Sequence, residues 1–258
     1  MITVKDILTF LNQIAPNYMQ EEWDNNGLLC GREDKKVRTV LIALDPFRNV
    51  CDEAIEMGAD MILTHHPLIF QPLSAVTDES ILRLIEHNIA AVNAHTNLDC
   101  APGGVNDTLA AKLGLKDIEV VSPRGEDETG KPWGLLRKGT VTPQSLQDFL
   151  SYTKAQLGCQ TLRYVQGTET VCHIAVSGGS CGDCLYEAKA AGCDTFVTAD
   201  VKYNQFWTAR ELGMNLIDAT HFATENPICA VLAEKLREAF PEITVILSKN
   251  HADCMKFF

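Results

Sequence analysis

Two adjacent histidines, His65 and His66, close the apolar run Met61-Ile62-Leu63-Thr64, and Pro67 follows them. Proline donates no ladder hydrogen bond, so a strand entering this stretch is expected to end at the histidines. Adjacent side chains on a strand point to opposite faces. The two rings are therefore expected to diverge and to serve two metal ions rather than one. Further along, His95-Thr96-Asn97-Leu98-Asp99 and His221-Phe222-Ala223-Thr224-Glu225 each place a histidine four residues before a carboxylate. Where such a segment is helical, positions i and i+4 share a face and can converge. His65, His66, Asp99, His221 and Glu225 are the candidate metal ligands. Imidazole with carboxylate suits zinc, iron, manganese, cobalt or nickel, and nothing in the set demands a thiolate. Two such ions about 3.5–4 Å apart would activate a bridging water and polarise a substrate oxygen, which is hydrolytic chemistry.

Other polar residues compete for roles around this set. His95 reads as a partner behind the ligands, a proton shuttle, or a structural histidine. Asp24 and Asp45 are candidates for orienting the ligands. Asp99 and Asp45 would equally serve as caps of the turns that follow them. His87 and His173 read as hydrogen-bonded structural residues, and His251 as a surface residue. Gly178-Gly179-Ser180 reads as a tight strand-to-helix turn, with anion binding at a helix N-terminus as the weaker alternative. Cys181-Gly182-Asp183-Cys184 is a CxxC flanked by Cys172 and Cys193. A buried or incidental pair is the preferred reading there, ahead of a structural zinc site.

The elements that must position these residues alternate. A helix over 3–14, capped by Thr3, precedes strands at 37–44, 61–64 and 89–94, with helices at 50–57 and 78–87 between them. A helix follows at 105–112, capped by Asn106 or a neighbour. The polar stretch 122–132 reads as the connection between two lobes. Beyond it come a helix at 143–157, a strand at 171–177, a helix at 184–191, a strand at 196–198, a helix at 203–212 and a strand at 215–218. The helix 227–239 and the strand 244–247 close the chain. Alternating strands and helices imply an α/β fold with largely parallel sheets. In such sheets ligands gather beyond the carboxyl ends of the strands, where Asp45, His65, His66 and His95 all fall.

The lobes echo each other. Glu53-Ala54-Ile55-Glu56-Met57-Gly58-Ala59-Asp60-Met61-Ile62-Leu63-Thr64 aligns without a gap with Glu187-Ala188-Lys189-Ala190-Ala191-Gly192-Cys193-Asp194-Thr195-Phe196-Val197-Thr198. The histidine pair then falls on Ala199-Asp200, and His95 to Asp99 parallels His221 to Glu225. Two pseudo-repeated, interlinked lobes are expected, about 1–122 and 133–258, with the metal site between them.

Composition narrows the class. The chain has 258 residues, 46% of them hydrophobic and 22% charged, as in an ordinary globular protein. No apolar run approaches the ~20 residues that span a bilayer. The N-terminus carries no basic region or apolar signal core, so a cytoplasmic location is expected. Ten cysteines without a secretion signal are expected to be reduced. A net charge of -12 argues against a general nucleic-acid binder.

At Trp23-Asp24-Asn25-Asn26-Gly27-Leu28, Thr64-His65-His66-Pro67-Leu68-Ile69-Phe70, His95-Thr96-Asn97-Leu98-Asp99, Gly103-Gly104-Val105-Asn106-Asp107 and His221-Phe222-Ala223-Thr224-Glu225, the chain resembles the Nif-three-like (YbgI-type) family. These proteins are also called GTP cyclohydrolase I type-two homologues. The resemblance implies two interlinked α/β lobes, a toroidal homohexamer built as a trimer of dimers, and a dinuclear metal site. Carried over by position, its ligands fall on the same five residues. The stretch 122–132 is too short for the domain that longer members insert. Asn204 stands where many relatives have histidine, and Pro46-Phe47 replaces the small polar residues expected after Asp45.

The leading functional expectation is a metal-dependent hydrolase acting on a small, nucleotide-like substrate. The alternative is a non-enzymatic metal-storage, metal-delivery or regulatory scaffold. A sliding nucleic-acid ring, which needs a basic lumen, ranks last.

Overall fold

The computed structural model describes residues 1–258. In chain order it begins with α1 (Val4–Ile14), β1 (Gly27–Cys30), β2 (Thr39–Ala43), α2 (Arg48–Glu56), β3 (Met61–Thr64), α3 (Glu79–Glu86), β4 (Ala90–Asn93) and α4 (Thr96–Cys100). Next come α5 (Val105–Lys112), β5 (Lys116–Val121), β6 (Gly125–Glu126), β7 (Pro132–Trp133), β8 (Leu136–Ser145), α6 (Leu146–Leu157), β9 (Arg163–Val165) and β10 (Thr170–Ser180). The chain ends with α7 (Leu185–Ala190), β11 (Thr195–Ala199), α8 (Tyr203–Glu211), β12 (Asn215–Asp218), α9 (His221–Glu225), α10 (Pro227–Ala239) and β13 (Thr244–Leu247).

Two compact units result, one of Met1–Ala101 with Ile228–Ala252, the other of Pro102–Pro227 with Asp253–Phe258. The division differs from the boundary expected at 122–132. That stretch lies inside the second unit and carries the β6–β7 ribbon, in which Gly125 pairs with Trp133. Polar turn formers suit a hairpin as well as a linker, which is why composition did not separate the two.

In the first unit the sheet order is β1-β4-β3-β2-β13. β13, β2, β3 and β4 run parallel, and only β1 is antiparallel to its neighbour. Parallel strands are covered on both faces, so they read as continuous apolar runs. All four residues of β3 and of β4 are buried. One face packs Leu41, Ala43 and Ile62 against Val50, Ala54 and Leu84 of α2 and α3. At α1, Thr3 and Asp6 form a reciprocal capping box.

The second unit's sheet, in the order β5-β8-β10-β11-β12-β9, is mixed. β10, β11 and β12 are parallel, whereas the β5–β8, β8–β10 and β12–β9 pairs are antiparallel. The expectation of largely parallel sheets therefore holds for the first unit and not for the second. Side-chain alternation sorts this sheet into two layers. Ile174, Val176, Val197 and Ile217 pack with Leu109 and Phe149. Ala175, Phe196 and Leu216 pack with Leu185 and Ala209. No helix is long and apolar enough to cross a membrane.

Candidate metal centre

In the first unit, β2, β3 and β4 point the same way, so their carboxyl ends bring Asp45, His65, His66 and His95 to one edge. β3 stops at Thr64, whose hydroxyl donates to His66 O at 2.7 Å. Because regular strand geometry ends there, the two rings do not diverge as expected. Their centroids lie 5.0 Å apart, and that of His95 lies 5.2 Å from His65 and 5.5 Å from His66. The three histidines each offer a ring nitrogen within 4.8 Å of the others, close enough to share a metal. His95, expected as a partner behind the ligands, a shuttle or a structural histidine, stands beside His65 and His66. One turn along α4, the buried Asp99 places Oδ1 3.5 Å from His65 Nε2.

Each ring is fixed by its Nδ1. His65 Nδ1 pairs with Ala94 O at 2.9 Å, His66 Nδ1 with Asp45 Oδ1 at 2.6 Å, and His95 Nδ1 with Asp24 Oδ1 at 2.7 Å. A carbonyl and two carboxylates accept only, so each Nδ1 carries a proton, and Nε2 is the ring nitrogen turned away from that tether. Metal-ligating histidines are held in this way. The donor set therefore fits a borderline metal ion such as zinc or iron.

Asp45 and Asp24 are thus orienting residues rather than caps. Asp45 also takes His251 Nε2 on its Oδ2 at 3.2 Å. His251, expected at the surface, has its side chain only 8% exposed. Glu53 holds this C-terminal segment by accepting from Lys249 N at 2.9 Å and Asn250 N at 3.1 Å. Burial pushes the Asp45 carboxyl up, but hydrogen bonds from His251 and His66 outweigh it and hold the pKa well below the usual carboxylate range. His87 makes only a local contact, its Nδ1 to Arg83 O at 2.8 Å.

The Asp24 side chain is fully buried and also accepts from Thr96 N at 3.0 Å and from the Thr96 hydroxyl. Burial raises its pKa, while His95 and Thr96 lower it more, to about 2 from 3.8. The folded value lies below the unfolded one, so this stabilisation is present above about pH 4 and lost as pH falls through about 2. Asp24→Asn is expected to cost about 2 kcal/mol at neutral pH and to flatten the acid limb of the stability curve. Urea unfolding of both proteins between pH 7 and pH 3 checks this.

The second unit repeats the arrangement on its own parallel strands. α9 places His221 and Glu225 at i and i+4, with Nε2 and Oε2 2.9 Å apart. His221 Nδ1 bonds Asp200 Oδ2 at 2.6 Å. Asp200 follows β11 where the duplication aligns it with His66, and sequence reasoning missed its role. Asp200 and Thr220 both adopt positive φ, 50° and 66°, so the backbone is strained at the residue before His221 and at its hydrogen-bond partner. Glycines complete the cradle. Gly178-Gly179-Ser180 is not a loop but the end of β10. Gly179 has φ +62°, and a Cβ there would lie 2.2 Å from Glu225 Oε1 and 3.3 Å from His221 Nε2. Its N–H donates to Thr224 Oγ1 and its carbonyl accepts from Thr198 Oγ1, both at 3.1 Å. Asn106, expected as a helix cap, instead accepts from Gly178 N at 2.7 Å, and Gly104 is the N-cap of α5.

Burial lowers the His221 pKa, but Asp200 and Glu225 together raise it to about 11 from 6.5. His221 paired with Asp200 and Glu225 therefore favours the imidazolium, a contribution to stability that is present below pH 6.5 and lost as pH rises through about 11. A metal at Nε2 must displace this proton. Binding there is expected to release about one proton and to tighten up to tenfold per pH unit between pH 7 and 9. Calorimetry in buffers of differing ionisation enthalpy measures the release.

Comparison with known proteins gives one consistent answer. The chain is 34% identical over 262 residues to a Clostridium perfringens protein named GTP cyclohydrolase 1 type 2 homolog, covering 98% of this chain and 99% of that one. A Staphylococcus aureus hypothetical protein superposes with a TM-score of 0.91 at 30% identity, over 99% of each chain. A Bacillus cereus protein related to NIF3 gives 0.93 at 26% identity, over 100% of this chain and 99% of that one. The family model for Duf34/NIF3 (NGG1p interacting factor 3) matches residues 2–253, which include every histidine and carboxylate described above. By sequence along nearly its whole length and by fold, the chain belongs to the Duf34/NIF3 family.

Proposed function

We propose that this protein binds two divalent transition-metal ions and is a metal-dependent hydrolase of a small, nucleotide-like substrate. His65, His66, Asp99, His221 and Glu225 are the proposed ligands. The observation that carries the reading is the common tether. The three proposed histidine ligands each commit Nδ1 to a carbonyl or carboxylate, as metal-ligating histidines do, and Asp24 holds His95 in the same way. When bound, the ions would lower the pKa of a water and polarise a substrate oxygen. The protein's own part is orientation. Asp45 and Asp24 hold His66 and His95, and Asp200 holds His221. His95 is also placed to pass a proton at Nε2, since Asp24 fixes its ring through Nδ1.

The name of the Clostridium perfringens relative points toward a nucleotide. An aromatic wall supports the same substrate class. Trp23 and Phe70 are 57% and 45% exposed, and their ring centroids stand 6.2 and 6.3 Å from that of His95. Large exposed aromatics beside a polar cluster suit the flat face of a base. We further propose a cytoplasmic homohexamer, built as a trimer of dimers, testable by light scattering of the purified protein.

The decisive experiment compares metal-loaded wild type with His65→Ala on a panel of nucleotides. Turnover in wild type alone supports the hydrolase. Full metal loading without turnover of any nucleotide contradicts it and favours a metal-storage, delivery or regulatory scaffold.

A further inference from the structure

Cys181-Gly182-Asp183-Cys184 plays no part in the function proposed above. Its Sγ atoms lie 4.0 Å apart, and all ten cysteines are thiols. The motif forms a tight turn, with Gly182–Cys184 as a single 3-10 segment leading from β10 into α7. Gln205 of α8 clamps the two intervening residues. Its Nε2 donates to Asp183 Oδ1 at 2.8 Å, and its Oε1 accepts from Lys202 N at 2.7 Å. The Gln205 amide packs directly over Gly182, where a Cβ would displace it. The two sulfurs face each other across this turn. The flanking cysteines are engaged elsewhere, which argues against a four-sulfur zinc site. Cys172 Sγ donates to Val141 O at 3.5 Å, and Cys193 packs in the core.

Reactivity is divided between the two positions. Cys184 is half-buried, while Cys181 is 9% exposed, so an incoming reagent meets Cys184 first. The hydrogen bond from Cys181 holds the Cys184 thiol below its ordinary pKa, against the opposing effect of burial. Burial pushes the Cys51 and Cys193 thiols up to about 11. Thiolate character and access select the site of thiol–disulfide exchange.

We propose that Cys181 and Cys184 form a reversible thiol–disulfide exchange centre, oxidised by disulfide compounds, whose closure weakens metal binding at His221 and Glu225. The Cys184 thiolate attacks one sulfur of a disulfide RSSR and expels RS⁻. Cys181, losing its proton, attacks the Cys184 sulfur of the mixed disulfide and expels the second RS⁻. Two protein thiols give up two electrons and two protons, and RSSR leaves as two RSH. Excess thiol reverses both steps.

Closure brings the sulfurs from 4.0 Å to about 2.05 Å. Cys181 N–H is bonded to Gly179 O at 3.1 Å, and Gly179 lies directly on Glu225 and His221. This bond is the proposed route by which closure shifts Gly179 and loosens the cradle. This coupling rests on the metal role proposed for that pair, whereas the exchange chemistry does not.

The test equilibrates the full-length protein with mixtures of reduced and oxidised glutathione, alkylates it and maps the peptides by mass. Cys181 and Cys184 are expected to be protected together, as one internal disulfide, while the exposed Cys254 is still alkylated. Cys181→Ser should instead trap glutathione on Cys184. Alkylation of both cysteines throughout, or protection no earlier than Cys254, overturns the exchange centre. Cobalt titration is expected to show at least fivefold weaker binding by the oxidised protein, and no redox effect in Cys181→Ser/Cys184→Ser. Equal affinity in both states overturns the coupling. If the reduced protein binds no cobalt, the metal assignment fails, and the alkylation pattern still decides the exchange centre.

Discussion

His65→Ala is expected to weaken binding of a divalent transition metal by at least about 100-fold, since losing even a residue behind a ligand costs 10–100-fold. His65 is fully buried, its Nδ1 is committed to the Ala94 carbonyl, and its Nε2 faces Asp99. Alanine removes the donor and leaves Asp99 beside a cavity that its shortened side chain cannot fill. The same cavity is expected to cost about 2–4 kcal/mol of stability in the metal-free protein. The two effects separate experimentally. Urea unfolding of metal-free protein reads the cavity, and competition titration against a chelator reads the ligand. Wild-type affinity in a destabilised but folded variant would remove His65 from the ligand set.

The second large effect is expected at a residue without a side chain. Gly179→Ala places a methyl group at φ +62°, where an L-residue carries a strain of about 1–2 kcal/mol. The Cβ would also stand 2.2 Å from Glu225 Oε1. Glu225 is 4% exposed, so its carboxylate has little room to retreat. A total loss of about 2–4 kcal/mol follows, together with loss of metal binding by the second unit. Gly158→Ala is the control. Gly158 caps α6 at φ +66°, with nothing within 4 Å of its would-be Cβ. It should show backbone strain alone and keep wild-type metal affinity. Equal effects of the two substitutions on metal affinity would mean that Gly179 is merely a turn residue.

The parallel core of the first unit was legible because both of its faces are covered. β3 lies at Met61–Thr64 as the apolar run and Gly58 indicated, and α10 and β13 also fall at the expected residues. The antiparallel strands of the second unit were not legible. β8 carries Arg137, Lys138, Gly139 and Pro143 within Leu136–Ser145, and β5 is largely exposed. A strand with one wet face or at an edge keeps no continuous apolar run. The residues that gather at the candidate site were legible, because imidazole and carboxylate at strand ends and at i, i+4 are a local pattern. Their supports were not. Asp45 joins His66 to His251 from 206 positions away, a relation that no local spacing shows. Asp200 carried one usable signal, its alignment with His66 in the duplication. The inference that His65 and His66 diverge failed because strand alternation was extended one residue past the strand's end.

Metal analysis of the protein tests the central claim most directly. After loading with zinc, cobalt or iron and removal of excess, wild type is expected to hold two ions per chain by elemental analysis. Replacing His65 and His221 together is expected to abolish stoichiometric binding. A wild-type protein that retains no metal after loading, or a double variant that still holds two ions per chain, would contradict the account.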